Sequence, residues 1–241
     1  MNGRLTLGLV AAGVLLALGS GGVYVYFFSS LRTSPQQLAL ASPSASASAT
    51  ASPSSTGLAG QWTVASGSQV GYRVKELFAG QTSKHEAVAR TSTVSGSITV
   101  TGDATGGYQV TSITITADLT GLHSVDTVAG RDVTQRDGVV SRQLEVQQFP
   151  NATFTATGAS IAGPVTTSTV STTVQGQLTI HGVTRTVTAT VQSQVVNGKV
   201  EVAGSVTATM SDFGVSPPFA PFVTVDSQVV MEFDIFLTKS A

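Results

Sequence analysis

The sequence predicts an all-β domain of antiparallel strands, and three observations carry that prediction. From Leu58 onward, apolar residues recur at every second position over six separate runs. Those runs are dominated by β-branched residues, with no helical periodicity of comparable length, and glycine-centred turn signals punctuate them. Strict alternation gives each strand one apolar and one polar face, the pattern of a barrel or sandwich rather than of a parallel sheet covered on both sides.

Taken in chain order, the first segment is not part of that domain. Leu5 to Phe28 contains no charged residue, and its 24 positions exceed the roughly 20 that a helix needs to cross a bilayer core. Residues 1–33 are therefore read as a single transmembrane anchor, with Tyr24, Tyr26, Phe27 and Phe28 suited to the interface. The competing reading is a cleaved signal peptide ending near Ala17-Leu18-Gly19. Either reading exports the C-terminal part of the chain, so the β-domain is expected on the extracytoplasmic side of the cell membrane. Residues 34–57 are mostly Ser, Ala, Thr and Pro without charge. They offer too little large apolar surface to offset ordering entropy and are expected to form a disordered tether. Residues 58–241 then form the folded domain.

Within it, the alternating runs are Val70, Tyr72, Val74; Ile113, Ile115, Ala117, Leu119; Val174, Gly176, Leu178, Ile180; and Val187, Ala189, Val191. Two further runs are Val200 to Met210 and Val229 to Leu237, each with Thr, Ser, Gln, Glu or Asp on the opposite face. Turns are read at Thr101 to Gly107, at His181-Gly182 and at Asn197-Gly198, the last a strong two-residue hairpin signal. Asp118 to Val146 breaks the alternation, concentrates the charges and is expected to be a long loop with a short helix. Phe149-Pro150 marks the entry into the next strand, near Thr153 to Ala156.

Composition excludes several functions. Lys plus Arg total 12 against 13 for Asp plus Glu, scattered singly, so no basic patch exists to bind nucleic acid. The absence of cysteine removes disulfides, thiolate catalysis and cysteine metal sites together. His85, His123 and His181 have no metal-ligand spacing, and no metal is expected. His123 and Asp126 with a serine resemble a triad only in composition, since no G-x-S-x-G elbow holds a nucleophile; no enzyme is expected. Arg131 and Arg136 have two readings, a clamp for a polar head group or ion pairs with Asp126, Asp132 and Asp137 that fix the loop.

Two segments carry a family resemblance. Arg131 to Phe154 reads R-D-V-T-Q-R-D-G-V-V-S-R-Q-L-E-V-Q-Q-F-P-N-A-T-F, preceded by Thr127 four positions before Arg131, and Leu178 to Arg185 reads L-T-I-H-G-V-T-R. With Trp62, Tyr72 to Glu76 and Asp212 to Val215, the chain from Gln61 to Leu237 resembles the YceI-like, lipocalin-like family. Around Gln81 to Thr93 it departs from the commoner family pattern, carrying Glu76-Leu77 and a polar stretch in place of a histidine-containing strand end.

The resemblance implies an eight-stranded antiparallel barrel whose lumen takes a polyisoprenoid, an isoprenoid quinone or a similar amphiphile. The candidate contacts are then the inward residues Tyr72, Val74, Ile98, Ile113, Ile115, Leu119, Phe154, Leu178, Ile180, Val206, Met210, Phe213, Met231, Phe233 and Ile235. An apolar stripe by itself proves burial and not a ligand. Two alternatives thus stand beside the lipid carrier: a structural or adhesive envelope domain with a filled barrel, and a trap for exogenous lipophilic compounds.

Overall fold

The computed structural model describes residues 32–41, 57–128, 130–163, 169–196 and 198–240. Of the expected anchor, residues 1–33, the first 31 lie outside them, and Arg32 and Thr33 are corrected: they form a strand of the folded domain, paired with Thr127 and Val128. Among the described residues no helix is long and apolar enough to cross a membrane.

In chain order the strands are β1 (Arg32–Thr33), β2 (Gly60–Val64), β3 (Gln69–Phe78), β4 (His85–Thr91), β5 (Val94–Asp103) and β6 (Gly107–Asp118). The short β7 (His123–Ser124) and β8 (Thr127–Val128) and the helix α1 (Gln135–Gln143) come next. The remainder are β9 (Asn151–Ala156), β10 (Ala159–Ala162), β11 (Thr169–Ile180), β12 (Val183–Val196), β13 (Lys199–Thr209) and β14 (Val223–Lys239).

These close into an eight-armed antiparallel barrel with the connectivity of a simple meander. The pairs β2 with β3 and β4 with β5 are the halves of two bent arms, since β3 pairs with β4 and β2 with β5. The ring then runs β5, β6, β9, β11, β12, β13 and β14. It closes because β14 pairs with β13 on one edge and with β3 and β2 on the other. The first bend falls at residues 65–68, where Ala65 N–H donates to the Phe236 carbonyl at 2.7 Å and Ser68 Oγ donates to the Ala65 carbonyl at 2.8 Å. The turns read from sequence are present at Asp103 to Gly107 and at His181-Gly182, whose φ values of 53° and 70° suit a two-residue hairpin. Asn197 is outside the described residues.

Meander connectivity sorts the loops into two ends. At one end lie the β3–β4 turn, the 119–150 insertion with α1, the His181-Gly182 turn and residues 210–222. At the other, Trp62, Ile235 and Leu237 pack with Ile98, Val100 and Val200 and plug the barrel. Trp62 Nε1–H donates to the Leu58 carbonyl at 2.8 Å, which satisfies the indole in an apolar setting.

Two further expectations need correction. The first concerns the polar, solvated outer face of the strands. Along part of β3, β4, β13 and β14 that face is covered, with Arg73 5%, Glu201 1% and Glu232 1% exposed. The cover is supplied by residues 34–41, which composition placed in a disordered tether and which instead lie along the wall from the loop-rich end to the plugged end. Arg73 Nη2 donates to the Pro35 carbonyl and Arg90 Nη2 to the Gln36 carbonyl, both at 2.6 Å. Leu38 N–H donates to Glu232 at 3.1 Å and Ala41 N–H to Glu201 at 2.7 Å. A segment with little apolar surface of its own is thus ordered by charged partners reaching up to its backbone. The second correction is the polar stretch Gln81 to Thr93, expected in place of a histidine-containing strand end: it contains β4, which begins at His85 and is largely buried on both faces because the barrel lies inside it and residues 34–41 pass over its outside.

Glu232 is central to this wall, accepting from Arg73 Nε at 2.6 Å and from Arg90 Nε at 2.9 Å as well as from Leu38. Removing one partner of a buried ion pair leaves the other uncompensated and costs about 3–5 kcal/mol. Glu232→Ala is therefore expected to lower stability by about that amount in urea unfolding and to make residues 34–41 susceptible to proteinase K. Asp234, on the same face, has its carboxyl pushed up to about 6 by burial and by the neighbouring Glu201. A carboxyl raised in the folded state adds stability below its unfolded value, near 4, and loses it as pH rises through about 6. Asp234→Asn should therefore melt higher than the parent at pH 7.5, with the difference vanishing by pH 4 in melting curves.

Candidate functional site

The inward faces enclose an apolar cavity of about 970 Å³, open at the loop-rich end. It persists because several inward positions are small. Ala117, Ala189, Gly176 and Gly204 stand where large side chains would otherwise meet across the lumen. At the two glycines aromatic rings lie against the wall: a Cβ at Gly176 would fall 2.4 Å from Phe154 Cζ, and one at Gly204 would fall 2.7 Å from Phe233 Cζ. The rings are therefore laid along the barrel, not across it.

All fifteen residues singled out from sequence line this cavity. Tyr72 and Val74 of β3, Ile98 of β5, Ile113 and Ile115 of β6 and Phe154 of β9 form one side. Leu178 and Ile180 of β11, Val206 of β13, and Met231, Phe233 and Ile235 of β14 form the other. Leu119, Met210 and Phe213 sit in two short 3-10 turns nearer the mouth. The mouth also includes residues that strand periodicity does not reach: Leu122, Val133, Val139, Val140 and Leu144 from the 119–150 insertion, and Phe219 and Phe222 from the loop before β14. The Val139-Val140 pair inside a charged loop was the available signal for α1.

A buried ionic cluster holds the insertion in place. Asp126, 2% exposed, accepts from His85 Nε2–H at 2.7 Å, from Val88 N–H at 3.0 Å and from both Arg136 Nη atoms at 2.7 and 3.2 Å. Arg136 also donates to Glu76 Oε1 at 2.8 Å. Burial alone would raise the Asp126 carboxyl, but the bonds from His85, Arg136 and Val88 hold it well below the usual carboxylate range. Glu76 lies above that range, because burial outweighs its pairing with Arg136. Tyr72, facing the lumen beside this cluster, is pushed up by burial against the opposing pull of Arg136 and stays a neutral phenol.

Of the two readings of the arginines, Arg136 takes the loop-fixing one through Asp126. Asp132 and Asp137 are not its partners. Asp132 accepts from Thr134, and Asp137 accepts from Ser124 N–H at 2.9 Å and Ser124 Oγ at 2.6 Å, which ties α1 to β7. Arg131 lies over the Phe78 ring at 4.2 Å on the cavity rim.

The histidines do not form the groups considered from sequence. His123 is exposed, with Nδ1 3.0 Å from the Gly121 carbonyl, so the His123–Asp126 pairing is not assembled. His181 Nδ1–H donates to the Phe213 carbonyl at 3.2 Å, its ring edge-on to Phe149. The fold does gather Glu76, His85 and Asp126, whose ligand atoms lie within 4.8 Å of one another. The Arg136 guanidinium binds both carboxylates of that group, so the cation their charge calls for is a side chain of the protein.

A family profile described as YceI-like domain matches residues 62–237. Among solved structures, a domain from Saccharophagus degradans, described as a polyisoprenoid binding domain implicated in plant cell wall breakdown, is 15% identical. It aligns over 74% of this chain and 98% of its own with a TM-score of 0.53. BcnA of Burkholderia cenocepacia is 19% identical over 68% of this chain and 95% of its own, with a TM-score of 0.45. The YCEI protein of Campylobacter jejuni is 13% identical over 70% of this chain and 86% of its own, with a TM-score of 0.45. No curated protein sequence matches this chain.

Because Arg136 pairs with both Glu76 and Asp126, Arg136→Met should act as a folding variant, costing about 3–5 kcal/mol for stranding buried carboxylates. Urea unfolding of the purified variant measures this, and loss of α1 protection in hydrogen exchange should accompany it.

Proposed function

The chain belongs to the YceI-like domain family, and from that premise we propose that its barrel is an extracytoplasmic carrier for the hydrocarbon tail of a polyisoprenoid, an isoprenoid quinone or a related amphiphile. The observation that carries this reading is the cavity itself. About 970 Å³ of almost wholly apolar space, plugged at one end and open at the other, fits a long tail entering lengthwise. It lies at the upper end of the volumes usual for small-molecule sites. The description of the Saccharophagus degradans domain as polyisoprenoid-binding agrees with it. A filled structural barrel would have no such space.

Tail burial dominates the affinity in this proposal. Each buried CH₂ contributes about 0.8 kcal/mol, so one five-carbon unit is worth roughly 3–4 kcal/mol before ordering costs. The polar head then needs only a few contacts at the mouth. The neutral Tyr72 hydroxyl and the rim guanidinium of Arg131 are the groups placed for it, with Arg136 already held by its carboxylates. The uncharged run from Leu5 to Phe28 serves as the single-pass anchor that keeps the carrier on its membrane.

Native mass spectrometry of the full chain purified in mild detergent, with organic extraction of the same sample, tests the reading. A co-purifying mass matching a prenyl lipid or quinone is expected. A barrel that arrives empty and refuses added prenyl lipid overturns the proposal. Met231→Lys places an ammonium on the lumen wall and should abolish retention with the β-sheet circular dichroism unchanged, whereas Val195→Lys on the exposed surface should retain lipid as the parent does.

A further inference from the structure

The point at which the chain reaches the barrel decides which end faces the membrane. β1 pairs with β8, Thr33 opposite Thr127, and their hydroxyls lie 2.9 Å apart. β8 belongs to the insertion at the open end, two residues before Gly130 and Arg131 on the cavity rim. Only Ser29, Ser30 and Leu31 separate Phe28, the end of the uncharged run, from Arg32. At no more than about 3.6 Å per residue, that connection spans at most about 14 Å. Residues 34–41 then lead away toward the plugged end, so the first part of the segment that composition assigned to a loose tether lies on the barrel wall.

The same open end carries a group of exposed apolar side chains. Phe219 is 95% exposed and Phe222 is 54% exposed, and both border the cavity. They lie in Phe213 to Val225, which has no charged residue and contains Pro217, Pro218 and Pro221. The prolines restrict the loop, and Ala79 N–H donating to the Phe222 carbonyl at 2.9 Å ties it to the β3–β4 turn. Aromatic side chains held out on a stiffened uncharged loop lose little conformational entropy on entering the boundary between lipid head groups and acyl chains.

We propose that the 216–222 loop docks into the membrane surface, Phe219 and Phe222 inserted, so that the cavity mouth opens onto the lipid and an amphiphile passes between bilayer and barrel without crossing water. This rests on the carrier reading and on Leu5 to Phe28 spanning the bilayer. The short connection at β1 supplies the orientation, and the loop supplies the contact.

The absence of native cysteine makes site-directed spin labelling direct. The full chain carrying Phe219→Cys, and separately Val195→Cys at the plugged end, is labelled with a nitroxide and reconstituted in vesicles of phosphatidylethanolamine and phosphatidylglycerol. Collision rates are measured with oxygen, which partitions into lipid, and with a nickel chelate, which stays in water. The oxygen-to-chelate ratio at position 219 is expected to exceed that at 195 severalfold. Equal, water-like ratios on vesicle-bound protein overturn the docking, as does loss of the protein from vesicles in a carbonate wash. Dipolar broadening between labels at 219, the sign of a second copy on this loop, overturns it as well. Lipid retention by the unlabelled parent chain in detergent is scored independently: retention by the parent with a water-like position 219 in the labelled protein sinks the docking alone, and an empty parent barrel sinks the carrier reading beneath it.

Discussion

The structure depends on β14 being hydrogen-bonded along both of its edges. Its 17 residues pair with β13 on one side and with β3 and β2 on the other, and this turns a meander of hairpins into a ring without free edges. Closure fixes the circumference, and the circumference fixes the space inside. Eight arms leave a lumen that is either filled by large side chains or left for a ligand. Small inward residues on β6, β11, β12 and β13, with the Phe154 and Phe233 rings laid over Gly176 and Gly204, select the second outcome.

Two buried clusters of charge are both structural. On the outer wall, Arg73, Arg90, Glu86 and Glu232 form a connected set under residues 34–41. At the mouth, Arg136 joins Glu76 and Asp126, with His85 completing the carboxylate's hydrogen bonds. Burying ions of this kind is unfavourable unless nearly every donor and acceptor is matched. Matching is therefore specific: the first set admits one path for the N-terminal segment, and the second holds the 119–150 insertion at one edge of the opening.

These two clusters connect packing to the proposed role. The insertion and the 210–222 segment frame the same opening, so the ion pairs that secure α1 also shape the entrance to the cavity. The cover over the outer wall determines where the chain arrives at the barrel, and the proposed orientation rests on that point. Apolar volume, entrance and orientation arise from separate interactions that converge at one end of the barrel.

Most of the fold was legible because strand periodicity is a local property. Alternation along β3, β6, β11, β12, β13 and β14 identified the inward residues, and His181-Gly182 announced its own turn. β4 was not legible, because a strand buried on both faces loses the alternation that reveals strands, and its polar residues were explained only by partners distant in sequence. The mouth was half legible: Leu119, Met210 and Phe213 were named from sequence, but no pattern in the charged insertion told which arginine would be spoken for. The sequence by itself determined the six alternating strands, their inward faces and the family. Tertiary structure alone decided that the lumen stays open, that Arg136 serves the loop and that residues 34–41 are bound, because each depends on distances between residues far apart in the chain.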